Sequence, residues 1–179
     1  MTFRLRYFSA LGAVLASLLP SAANAQAPFP AREITFQEIF GGRAGENTVY
    51  CLLGNGYFRS IHSEEVGTII ASWLANHPKA QAVPVSSRPT KEFGPSGRWI
   101  YVVIEDGEET LNIALVRAGA YPGRVMIANA GATQLIMSEE RYEAYLNRVV
   151  AAQADAKENR RGIWSDRYEE SRKLERLDD

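Results

Sequence analysis

Three features of the residue pattern predict an α+β fold. Short runs rich in β-branched and aromatic residues recur through the first two-thirds of the chain. One stretch with a 3.6-residue apolar period interrupts them, and helical patterns close the chain. That order fits an OB-type five-stranded β-barrel with a helix between strands 3 and 4 and C-terminal helices along one side. An α+β sandwich satisfies the same pattern.

The first segment lies outside the fold. Residues 1–25 begin with Arg4 and Arg6, run apolar from Phe8 to Leu19, and end in Ala23-Asn24-Ala25. A basic start, a short apolar middle and an A-x-A end make a secretory signal peptide, so the protein is expected to be exported, periplasmic or secreted. A run of roughly twelve apolar residues is too short for a hydrocarbon core that needs about twenty. No later stretch is long and apolar enough to serve as a transmembrane segment. Cleavage after Ala25 leaves about 154 residues, and loss of two arginines moves the formal net charge from −1 to −3. An acidic domain is poorly suited to non-specific nucleic-acid binding, which leans on basic surface. The single cysteine, Cys51, forms no intramolecular disulfide; set in the run Tyr50-Cys51-Leu52 it reads as a buried thiol.

Residues 26–33, with Pro28 and Pro30, read as an extended leader, and 34–165 as the folded domain. Ile34–Phe40 alternates as a first strand. Thr48–Leu53 and Tyr57–Ile61 flank Gly54-Asn55-Gly56 as a β-hairpin. Ser63 then caps a helix whose Val66, Ile69, Ile70, Trp73 and Leu74 share one face, with Glu64 and Glu65 in its first turn; His77-Pro78 ends it. Ala80–Ser86 is a strand interrupted by Pro84, at an edge or a bulge. Arg98–Ile104 is the strongest strand pattern in the chain.

A short helix carries Leu111, Ala114, Leu115 and Ala118, with Gly119 positioned to terminate it. Arg124–Ile127 reads as a further strand and Ala128–Met137 as a loop. Ser138 caps a long last helix whose expected inner stripe is Tyr142, Leu146, Val149, Gln153 and Ala156. Residues 166–179 form a charged tail.

Several of these segments carry a recognisable motif. Gly97-Arg98-Trp99-Ile100-Tyr101-Val102, then Asp106-Gly107, then Leu111 through Ala120 with Asn112 and Gly119, are similar to the second half of the staphylococcal nuclease (thermonuclease) domain. Ala151–Ala156 followed by Gly162-Ile163-Trp164-Ser165 resembles the close of the same family. The resemblance implies the OB-type barrel and calcium-assisted hydrolysis of DNA or RNA phosphodiesters. In such chemistry carboxylates hold a hard cation, arginines meet the phosphate and a glutamate handles the attacking water.

Carried over residue by residue, Arg98 matches the arginine that opens the family's strand and would contact phosphate. Arg59 stands for a second arginine, and Glu64 or Glu65 for the glutamate. Without the resemblance, Arg98 is a solvent-facing strand residue and Glu64 and Glu65 complement a helix dipole. The first half departs from the family: the spacing from Arg59 to Glu64 is short, the family's Asp-x-Pro-Glu is missing, and Gly42–Tyr50 offers only Glu46 where metal-binding aspartates belong. His62 and His77, at opposite ends of a helix, make no metal pair. Calcium is therefore expected only if the chain is catalytically active. The expectation is an exported thermonuclease-like domain with a degenerate site that binds a protein or cell-envelope partner; the alternative is an active nuclease with a reworked site.

Overall fold

The computed structural model describes residues 27–55, 61, 63–91, 96–123 and 134–168. In chain order it contains β1 (Phe29–Pro30), a 3-10 turn (Ala31–Glu33), β2 (Thr35–Gln37), β3 (Phe40–Gly42), β4 (Thr48–Leu52) and α1 (Ser63–Asn76). There follow β5 (Gln81–Pro89), β6 (Arg98–Asp106), β7 (Glu109–Thr110), α2 (Leu111–Arg117), β8 (Gln134–Leu135), α3 (Glu139–Glu158) and a closing 3-10 turn (Gly162–Trp164).

The fold is mixed α+β, with one curled sheet in the order β1-β5-β6-β4-β3-β2; β7 adds to β6 and β8 to β5. The first and last strands of that path are consecutive in the chain and are separated only by residues 31–34. The sheet must therefore bend round to bring its two edges together. Strands β4 and β6 run parallel, with Tyr50 opposite Ile100; the other pairs are antiparallel.

Central β6 is apolar along its length because both of its faces are covered. Ile100, Val102 and Ile104 on one face, and Tyr101 and Val103 on the other, are all buried. Helix α1 forms where its periodicity places it, burying Val66 and Ile70 with Ile69, Trp73 and Leu74 partly covered. Pro84 marks a bulge, since the β5–β6 register shifts between Pro84 and Ser86. The strand lies inside the sheet, not at its edge. Cys51 is a buried thiol that donates to the Leu52 carbonyl at 3.8 Å.

Three expectations need correction. The run Ile34–Phe40 is not one strand: it turns at Glu38 and Ile39, where Glu38 takes φ +55°, so its halves belong to β2 and β3. Strand β4 pairs with β3 and β6 instead of a following hairpin arm. Tyr57–Ser60 lie outside the described residues, and the Ile61 N–H bonds to the Ala120 carbonyl at 3.1 Å. On α3 the buried stripe is Tyr145, Val149, Ala152 and Ala156, with Tyr142 and Leu146 only flanking it. The leader is tied down as well, because β1 pairs with β5 and the Ala31 N–H bonds to the Ala80 carbonyl. The expected strand Arg124–Ile127 lies outside the described residues, as does most of the charged tail.

Candidate functional site

Arg98 opens β6 opposite Thr48 of β4 and Pro89 of β5. Its backbone N–H bonds to the Asn47 carbonyl at 3.2 Å, which fixes where the strand begins. Strand alternation puts its side chain at the end of the row formed by Ile100, Val102 and Ile104. The guanidinium is exposed, donates to Ser87 Oγ at 3.0 Å and makes no ion pair among the described residues. A cation held only by a hydroxyl keeps its charge available to an anion.

The register brings Tyr50 to the same end of the same face, because Tyr50 and Ser87 both pair with Ile100. Tyr50 is fully buried, and its hydroxyl donates to Glu46 Oε2 at 2.6 Å. Glu46 Oε1 receives Arg43 at 2.7 Å, and Arg43 also pairs with Glu33. The Arg43 guanidinium lies 4.2 Å above the Phe29 ring, which in turn meets Tyr50 edge-on at 5.3 Å. Contact with Tyr50, and after it Glu33 and Glu46, pushes the Arg43 pKa further up, so this cation is permanent. The network joins the 3-10 turn after β1, the β3–β4 loop and β4. It is invisible to short-range pattern.

Glu64 and Glu65 are exposed in the first turn of α1, and no hydrogen bond or ion pair links either to Arg98. At the other end of α1, His77 stacks on Trp73 at 4.0 Å and sets Nδ1 3.4 Å from Asp106, the last residue of β6. Arg59 and His62 lie outside the described residues. Of the four residues that the resemblance singles out, the structure thus ties Arg98 to Ser87, leaves Glu64 and Glu65 unconnected to it, and does not describe Arg59.

A second polar assembly is structural. Asn112 is fully buried at the start of α2. Its Oδ1 accepts the Ile104 N–H at 2.9 Å, while Nδ2 donates to the carbonyls of Leu53 at 2.9 Å and Val102 at 3.0 Å. The Tyr145 hydroxyl also donates to the Leu53 carbonyl, at 2.6 Å. One amide therefore joins β6, the end of β4 and α2, and α3 adds its own bond at Leu53. Burial pushes the Tyr145 and Tyr121 phenols well above their ordinary range. The hint in the sequence was a lone asparagine among the apolar residues of a short helix.

Among the described residues no group of three or more His, Cys, Asp or Glu gathers where it could hold a metal ion. No helix there is long and apolar enough to cross a membrane. No family model matches the chain, and neither does any curated protein.

Proposed function

We propose that this chain is an exported domain of the thermonuclease type whose calcium-assisted phosphodiesterase activity is reduced or lost, and which acts by binding a partner. If β1 and β2 are counted as one strand interrupted at residues 31–34, the path has five strands, with α1 between the third and fourth. This supports the OB-type reading, as do the Gly-Arg start of β6 and the Asn112–Gly119 helix motif.

The observation that carries the loss of chemistry is the state of Glu46. It is the one acidic residue in the stretch where the family places its metal-binding aspartates. One carboxylate oxygen accepts the buried Tyr50 hydroxyl and the other pairs with Arg43. Calcium needs several oxygens carrying net negative charge. A carboxylate neutralised by a permanent guanidinium, in a cluster of two glutamates and one arginine, does not fit it. The ion-paired network serves instead to fasten the first strand to the β3–β4 loop.

Arg98 favours the second reading, an active nuclease, because its charge is unspent. The test is incubation of the purified protein with single-stranded DNA and RNA, with calcium or with chelator, beside Arg98→Ala. The expected result is no calcium-dependent cleavage. Calcium-dependent cleavage abolished by Arg98→Ala would overturn the proposal, whereas cleavage that survives both chelator and substitution is contamination.

A further inference from the structure

A cleft of about 430 Å³ lies along the outward side of α2, at the opposite end of β6 from Arg98. Its volume falls within the range of small-ligand sites, roughly 300–1,000 Å³. The floor is Ile113 and Ala114, and the walls carry charge of both signs. Glu108 and Glu109 stand at one end, and their carboxylates make no ion pair among the described residues. Arg148 crosses from α3 to that end and is tethered by donating to the Glu108 backbone carbonyl at 2.6 Å. Two carboxylates against one guanidinium leave this end with a net negative charge.

Arg117 stands at the other end. Among the described residues its guanidinium pairs only with Asp155, at 3.9 Å, and Asp155 is already held by Arg161 at 2.6 Å and by Asn159 at 2.8 Å. The Arg117 guanidinium is thus loosely held and half exposed. From Thr110, beside the glutamates, to Arg117 is seven helical residues, or about 10 Å at 1.5 Å per residue. Across that span the two ends do not neutralise each other, and an apolar floor lies between them.

We propose that this cleft binds a short peptide with free ends, about three residues long. An extended chain advances roughly 3.3–3.6 Å per residue, so three residues span about 10 Å. The terminal ammonium meets Glu108 and Glu109, the terminal carboxylate takes the Arg117 fork, and small side chains pass over half-buried Ala114. A single amino acid is too short to reach both ends. A purely anionic ligand is repelled by the glutamates. The proposal does not rest on the thermonuclease reading, and the nuclease assay does not bear on it.

The test is calorimetric titration of the purified protein at low salt with trialanine, N-acetyl-trialanine and trialanine amide. Trialanine is expected to bind one to one, with capping of either end weakening it at least about tenfold, the scale of one charge-assisted contact. Arg117→Gln should weaken trialanine by a similar factor and leave trialanine amide unchanged. Glu109→Gln should weaken trialanine and leave the N-acetylated peptide unchanged. Both substituted residues are exposed, so the variants are expected to keep the parent melting curve. Absence of saturable trialanine binding, or binding indifferent to capping or to Arg117→Gln, would overturn the proposal.

Discussion

Replacing Asn112 with aspartate changes one atom type at the centre of the fold, and its cost should depend on pH. In the parent, Nδ2 donates to two carbonyls, Leu53 and Val102, while Oδ1 accepts the Ile104 N–H. An ionised aspartate still accepts from Ile104 but turns its second oxygen toward those two carbonyls, with no water to solvate it. A protonated one restores a single donor. The carboxyl pKa in the folded state must therefore rise, by roughly 3–5 units for a fully buried group. In the unfolded chain it remains near 3.9.

Below about pH 3.9 both states are protonated, and the variant loses only one hydrogen bond, about 1–2 kcal/mol. Above it the unfolded state releases the proton and the folded state does not, so stability falls by about 1.4 kcal/mol per pH unit. Three units of titration add about 4 kcal/mol by pH 7, for a deficit of about 5–6 kcal/mol against a typical total of roughly 5–15. Urea unfolding followed by far-ultraviolet circular dichroism from pH 3.5 to 8 measures the difference between parent and variant. A difference that stays flat across that range would refute the argument, because it would mean that the aspartate escapes the two carbonyls.

Other outcomes follow from the same packing. Gly119→Ala puts a Cβ 2.1 Å from the Arg161 carbonyl oxygen at a residue with φ +71°, so it should cost more than about 2 kcal/mol and lower the melting temperature by several degrees. Gly162→Ala, 2.2 Å from the Gly119 carbonyl oxygen, should act alike, because each glycine lets the other's backbone approach. Burial raises the folded pKa of Tyr145 and Tyr121 above the unfolded value near 10, so their contribution is intact below that pH and is lost as pH rises beyond it. Tyr145→Phe should flatten part of the alkaline slope in urea titrations, while costing about 1–2 kcal/mol at neutral pH for the lost bond to Leu53. Cys51, fully buried, should react with a thiol reagent only at the rate of unfolding, and stopped-flow labelling in rising urea measures this.

What could be read from the chain divides by the range of the forces involved. Helix α1 is legible because Val66 and Ile70, with Trp73 partly covered, repeat at the helical period, and β6 because a strand covered on both faces is apolar through its middle. The α3 stripe is legible at Val149 and Ala156, whereas Tyr145 and Ala152 hold the buried positions expected for Tyr142, Leu146 and Gln153. The Leu53 carbonyl, far away in sequence, accepts the Tyr145 hydroxyl and so favours that side of the helix. The β2–β3 turn was missed because it needs φ +55° at Glu38, and glutamate announces no such conformation.

The candidate site shows the same division more sharply. Glu46 stood three residues after Arg43 and four before Tyr50, and such spacings carry meaning on a helix but none in a loop leading into a strand. Register decides its role. Pairing of β4 with β6 buries Tyr50 beside Ile100, and a buried phenol needs an acceptor, which Glu46 supplies. Arg43 then compensates the carboxylate and covers Phe29. Each step follows from the one before, so the fate of the residue that looked most like a metal ligand was decided by a parallel strand pairing. No local pattern in this sequence encodes that pairing.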